Sequence, residues 1–122
     1  MDRDLTAVDQ VFKALADPTR VRILGLLGGG ETCVCHIHES LRLPQSLVSR
    51  HLAYLRRAGL VEARKQGLWV HYRLARRDDV TPALLEAIYQ CVGKLPAVGK
   101  DVKRLRGRAP IPEPRGPEAC CE

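Results

Sequence analysis

The sequence predicts a mainly α-helical domain with one small β-hairpin, and three observations carry that expectation. Apolar residues recur at helical spacing through most of the chain. Residues 60–74 break that rhythm and read as two extended runs around a glycine. The chain has 122 residues, 45% of them apolar, which suits one domain with a core mostly of aliphatic side chains.

Leu5, Val8, Phe12 and Leu15 lie on one helical face and predict a first helix over Thr6–Ala16. Asp17-Pro18 restarts the chain, because Asp caps a helix and Pro is favoured at its first position. The second helix then runs to Leu27. Val21, Ile23, Leu24, Leu26 and Leu27 make it apolar on most sides, as expected for a central buried helix, and Gly28-Gly29-Gly30 stops it. A short third helix, Val34–Leu41, carries Val34, Ile37 and Leu41 on one face. Arg42-Leu43-Pro44 turns tightly into a fourth, Gln45–Ala58, with Val48, Leu52 and Leu55 inward and Gly59 at its end. Two short helices joined this way, the second presenting Ser, Arg and His outward, read as a helix-turn-helix.

Leu60–Arg64 and Leu68–Leu74 follow as strands around Lys65-Gln66-Gly67. A hairpin directly after the outward-facing helix is the wing of a winged helix-turn-helix. A last long helix starts near Asp78–Thr81 and runs to Leu95, with Leu84, Ile88, Cys91 and Leu95 on one face. Pro96 and Gly99 break it, and a shorter helical stretch is expected at Val98–Leu105. Residues 1–106 form the predicted domain. Residues 107–122 hold four of the eight prolines and read as a disordered tail ending in Cys120-Cys121.

Several function classes are excluded. The longest apolar run, Ile23–Gly30, is far short of the roughly 18–20 residues of a membrane span. The N-terminal stretch lacks the apolar core of a secretory signal, so a cytoplasmic location and reduced thiols are expected. Five cysteines, an odd number, do not close into a disulfide framework. No nucleotide loop or paired carboxylates suggest an enzyme.

Charge is unevenly spread. The net +6 resolves into −2 over residues 1–40, +8 over residues 41–77 and zero beyond. A basic middle between acidic and neutral ends is the footprint of a polyanion-binding face; a solvated basic surface is the plainer alternative. Gln45, Ser46, Ser49, Arg50 and His51 are the outward candidates on the fourth helix, suited to base edges and phosphates in a major groove. Arg64, Lys65 and Gln66 sit at the hairpin tip, suited to backbone or minor-groove contact. Trp69 and Tyr72 read as packing of the wing rather than as base-stacking groups. One such unit presents little surface, so a homodimer on an inverted-repeat operator is expected, with the apolar stripes of the first and last helices as its interface. The alternative is that those stripes complete the monomer core.

Cys33-Val34-Cys35 is the most chemically pointed feature. Within a regular helix, residues two apart project about 200° from one another and cannot grip one ion. In an extended segment they face the same way. Two thiolates on one ion therefore require the start of the third helix to be frayed or unwound, which would couple ion binding to the helix that reads DNA. Thiolates favour soft ions, arsenite and antimonite included. A Cys/Cys/His site with His38 is a further arrangement, and two buried apolar thiols are the bland one. Cys91 reads as a packed core or interface residue.

Three motifs, Glu31-Thr32-Cys33-Val34-Cys35, Val48-Ser49-Arg50-His51-Leu52 and the run Arg64–Leu74, resemble the arsenical-resistance repressors of the ArsR family, as does Ala14–Arg20. The resemblance spans residues 8–92. It implies a homodimeric winged-helix repressor of double-stranded operator DNA, needing no cofactor to bind it and released when As(III) or Sb(III) binds thiolates at the start of the third helix. The family's motif has a third cysteine where this chain has His38, and commonly a capping Ser where it has Pro44. The third sulfur then falls to Cys120 or Cys121, from the same or the other subunit, or the site uses two sulfurs and a small ligand. A soft divalent metal (Cd, Pb or Zn) and thiol oxidation are the alternative signals.

Overall fold

The computed structural model describes residues 3–75 and 80–107. Among the described residues, six helices and three short strands follow in the order α1 (Arg3–Leu15), α2 (Pro18–Leu27), β1 (Thr32–Cys33), α3 (Val34–Leu41), α4 (Gln45–Arg57), β2 (Val61–Gln66), β3 (Trp69–Leu74), α5 (Val80–Val92) and α6 (Pro96–Arg106).

The central helix is α2, with Ile23, Leu24, Leu26 and Leu27 all buried. It starts where Asp17 accepts hydrogen bonds from the backbone N–H groups of Thr19 (2.8 Å) and Arg20 (3.1 Å), with Pro18 in its first turn. Val11 and Ala14 of α1, Ile37 and Leu41 of α3, Val48, Leu52 and Leu55 of α4, and Trp69 of the wing complete the core around it. Glycine in α2 sets how closely its neighbours approach. A Cβ at Gly25 would stand 2.7 Å from Cγ1 of Val98 in α6, and one at Gly28 would overlap the Tyr89 ring of α5.

The sheet has the order β1-β3-β2, all antiparallel. β2 and β3 form the expected wing, but Gln66 pairs with Trp69, so the turn is Gly67-Leu68. Gly67 takes the positive φ that this tight turn demands. The tip of the hairpin is therefore displaced by one to two residues from the expected Lys65-Gln66-Gly67. β1 is an unforeseen third strand, in which Thr32 faces Tyr72 and Cys33 faces His71.

Two expectations are corrected at the C-terminal side. The last long helix ends at Val92, not Leu95, and the following stretch is a full helix from Pro96 to Arg106. Pro96 ends nothing by itself: it sits in the first turn of α6, where its missing N–H is no loss. Cys91 is exposed in the single chain, which excludes the core half of its reading and leaves the interface half. Half of the apolar stripe of α1 is uncovered, with Leu5 65% and Phe12 56% exposed, while Leu15 packs against the core beside Val11 and Ala14. Among the described residues no helix is long and apolar enough to cross a membrane. The tail from residue 108, with Cys120 and Cys121, lies outside the described residues.

Candidate functional site

The two thiols of the Cys33-Val34-Cys35 motif meet, with their sulfurs 3.1 Å apart. No unwinding is needed for this. Cys33 is extended (φ −69°, ψ 144°) and forms the last residue of β1, whereas Cys35 lies in the first turn of α3. The change of backbone between the two residues turns both side chains to one side with α3 intact. Both residues are buried, Cys33 at 1% and Cys35 at 5% exposure. Cys33 borders a groove of about 480 Å³, also lined by His36, His71, Tyr89, Leu105 and Arg106.

His38 does not join the sulfurs. Its Nδ1 lies 3.2 Å from the carbonyl of Leu43, which ties the ring to the α3–α4 turn. Among the described residues no three His, Cys, Asp or Glu side chains are grouped closely enough to hold a metal ion. The Cys/Cys/His arrangement is therefore not formed here.

The helix-turn-helix is α3, the turn at Arg42–Pro44, and α4. Arg42 takes the left-handed conformation that ends α3. Pro44 occupies the N-cap of α4 without a side-chain capping bond, and α4 still starts at Gln45. Gln45 donates to the Ser49 hydroxyl (2.8 Å), one turn along the helix. Ser46 and Arg50, a second pair one turn apart, are exposed. His51 differs from these four. Its Nδ1 is 3.4 Å from Nη1 of Arg20 and 3.9 Å from the Asp17 carboxylate, so the ring is tethered to the start of α2.

At the wing, Lys65 and Gln66 are exposed. Arg64 is also exposed, but its guanidinium grips Glu31 through Nε and Nη2 and bonds Gln66 through Nη1. The Arg64 hydrogen bond holds the Glu31 carboxyl below its ordinary range, against a smaller opposing effect of burial. Trp69 is buried at 2%, in keeping with a packing role, and Tyr72 is half-buried against the same core. Arg20 and Arg57 lie over the Tyr54 ring, at 4.1 and 5.7 Å from its centroid.

Residues 17–63 match the model of the bacterial regulatory proteins of the arsR family. The arsenical resistance operon repressor of Escherichia coli K12 is 55% identical over 84 residues, covering 67% of this chain and 72% of its own. The chain belongs to the ArsR family. An uncharacterised HTH-type transcriptional regulator of Methanocaldococcus jannaschii is 42% identical over 80 residues, covering 65% of this chain and 88% of the relative. Among solved structures, the homodimeric winged helix-turn-helix DNA-binding domain of a Mycobacterium bovis protein aligns with a TM-score of 0.65 at 35% identity, over 75% of this chain and 85% of that one. This ArsR-family chain is thus a winged-helix DNA-binding transcriptional repressor and not an enzyme.

Sequence reasoning missed three residues that the structure joins at the far end of α3. Arg22 of α2 and Arg104 of α6 both bind the buried carboxylate of Asp101. The only local signal was the i, i+3 spacing of Asp101 and Arg104.

Proposed function

We propose that this repressor binds an inverted-repeat operator as a homodimer and is released when a thiophilic oxyanion, As(III) or Sb(III), binds Cys33 and Cys35. The observation that carries this reading is the 3.1 Å approach of two thiols at the first turn of α3. Both sulfurs are buried, so admitting an ion between them displaces the first turn of α3, which packs on the DNA-reading helix α4. The identity to a repressor named for arsenical resistance supports the same signal. A shift from mostly bound to mostly released requires about 5.5 kcal/mol of differential ion affinity.

Cys120 or Cys121 supplies the third sulfur of a pyramidal site. Arg106, at the end of α6, lines the groove that Cys33 borders. From Gly107 the chain continues for thirteen residues to Cys120, which at about 3.3 Å per residue reaches across the domain. Gln45, Ser46, Ser49 and Arg50 read the major groove, and Lys65 and Gln66 contact the backbone beside it. His51 and Arg64 serve DNA binding by fixing the helix and the wing, since their charged neighbours already engage them. The subunits meet through α1 and α5, supported by the exposure of Leu5, Phe12 and Tyr89 in the single chain.

The test uses an operator selected by the protein from random duplex DNA. Binding is measured by fluorescence anisotropy with arsenite, antimonite, Cd(II), Pb(II), Zn(II) or peroxide added. Release at the lowest concentration by arsenite or antimonite, lost in Cys33→Ser/Cys35→Ser, is expected. Unchanged operator affinity in arsenite, or release that persists in the double variant, refutes the sensing half. Analytical ultracentrifugation of Phe12→Lys tests the interface, with a monomer expected.

A further inference from the structure

An α-helix leaves its last four carbonyls without partners inside the helix. In α3 these belong to His38, Glu39, Ser40 and Leu41, and every one of them is satisfied. The N–H of Leu43 donates to His38 (3.0 Å) and that of Arg42 to Glu39 (3.1 Å). The other two bonds come from distant parts of the chain. Arg104 Nε of α6 donates to the carbonyl of Ser40 (2.5 Å), and Arg22 Nη2 of α2 donates to that of Leu41 (2.9 Å). Between the two guanidiniums lies Asp101, with 0% exposure. It accepts from Arg22 Nε (3.0 Å) and Nη2 (2.8 Å) and from Arg104 Nη2 (2.7 Å). One buried carboxylate thus holds two cations against the negative end of α3, one residue before the turn into α4.

This arrangement is more specific than stability requires. Buried ion pairs contribute little net stability compared with apolar packing, and their best-attested use is to fix one arrangement over others. Here the arrangement fixed is the direction in which α3 hands the chain to the DNA-reading helix. All three residues of the clamp also lie clear of the thiol pair at the opposite end of the same helix.

We propose that Asp101 is a positioning residue for the switch: through Arg22 and Arg104 it anchors the C-terminal end of α3, and α6 thereby holds α4 in its operator-binding arrangement. The proposal rests on the functional reading above for the identity of the inducer, but not for the DNA-binding half. Its signature is a pair of opposite signs. Loosening the clamp depopulates the operator-binding state, so operator affinity falls. The released state, which the inducer prefers, gains the same population, so inducer affinity rises. General damage to the fold lowers both.

The experiment measures operator and arsenite affinity for the full-length protein, Asp101→Asn, Arg104→Gln and Arg104→Lys, with a scrambled duplex as control. Asp101→Asn is expected to weaken the selected operator about 10-fold and to tighten arsenite about 10-fold, with the scrambled duplex unchanged. Arg104→Gln shifts both in the same directions by less, and Arg104→Lys recovers part of the loss. Because Arg104 is partly exposed, its variants decide the matter if Asp101→Asn does not fold. Affinities that fall together, or that both stay within about 2-fold of the parent in folded variants, overturn the proposal. If arsenite fails to release the parent, the sensing reading fails by itself. The clamp is then judged by the ratio of selected to scrambled DNA affinity, which falls if the clamp acts and stays constant if it does not.

Discussion

The two ends of α3 are built by opposite means. At its C-terminal end all four terminal carbonyls find donors, two of them guanidiniums held by a buried carboxylate. At its N-terminal end the N-cap is Cys33, whose thiol makes no capping hydrogen bond, and no acidic residue occupies the first turn. What stands there instead is a two-residue strand and a pair of sulfurs. A short helix anchored by charged hydrogen bonds at one end only responds to a force at the other end by tilting about the anchored one. The thiol end is held instead by the burial of Cys33, Val34 and Cys35 and by the pairing of β1 with β3.

If the ends differ in this way, substitutions at them must differ in cost. The largest effect is expected at the clamped end. Arg22→Met leaves Asp101 buried with one partner and strips the Leu41 carbonyl of its donor. A stability loss of about 3 kcal/mol follows, at the low end for broken buried pairs because the Arg22 side chain is partly exposed. Urea unfolding measures it, and a loss below about 1 kcal/mol would erase the contrast. At the thiol end, Cys35→Ala removes one buried sulfur but places the best helix former in a first turn. Its cost is expected near 1 kcal/mol. Equal costs at the two ends would mean that α3 is held uniformly.

Much of this architecture is legible in the sequence, and the parts that are not share a cause. α2, α3 and α4 follow from apolar spacing, a strong Asp-Pro start and the Gly and Pro residues around them. The wing follows from β-branched and aromatic residues around Gly67. β1 escapes because two residues carry no alternation; it exists only through its pairing with β3, some forty residues later. The clamp escapes for the same reason, since Arg22 and Asp101 are 79 residues apart. Neither regular conformation, helix or strand, describes by itself how Cys33 and Cys35 meet. The chain uses the junction between them, with one cysteine in each. His51 reads as outward by spacing, yet its neighbours Asp17 and Arg20 draw it back toward α2. Local pattern places the backbone, and long-range pairing decides what each side chain does.

The smallest effect sharpens the comparison by setting the uncapped start of α3 against the capped start of α2. Asp17 accepts the backbone N–H groups of Thr19 and Arg20 at the first turn of α2. Burial pushes its carboxyl up, and is the largest single influence. The Arg20 N–H, the nearby His51 ring, the Thr19 N–H and the Arg20 charge together outweigh it and hold the carboxyl below its ordinary value of 3.8. Because the folded state binds this proton less readily than the unfolded chain, the cap's contribution is fully present above that value. It fades as pH falls through the folded-state value. Asp17→Ala is therefore expected to cost about 0.5–1 kcal/mol at neutral pH, a figure kept small by partial exposure. The stability curves of parent and variant should converge in acid. Cys33→Thr, which offers α3 the hydroxyl cap it lacks, should slow amide exchange in the first turn of α3 at every pH, because a hydroxyl does not titrate there. If Asp17→Ala costs the same in acid as at neutrality, the cap acts through packing and not through its charge. If Cys33→Thr leaves exchange unchanged, the missing cap does not weaken the start of α3.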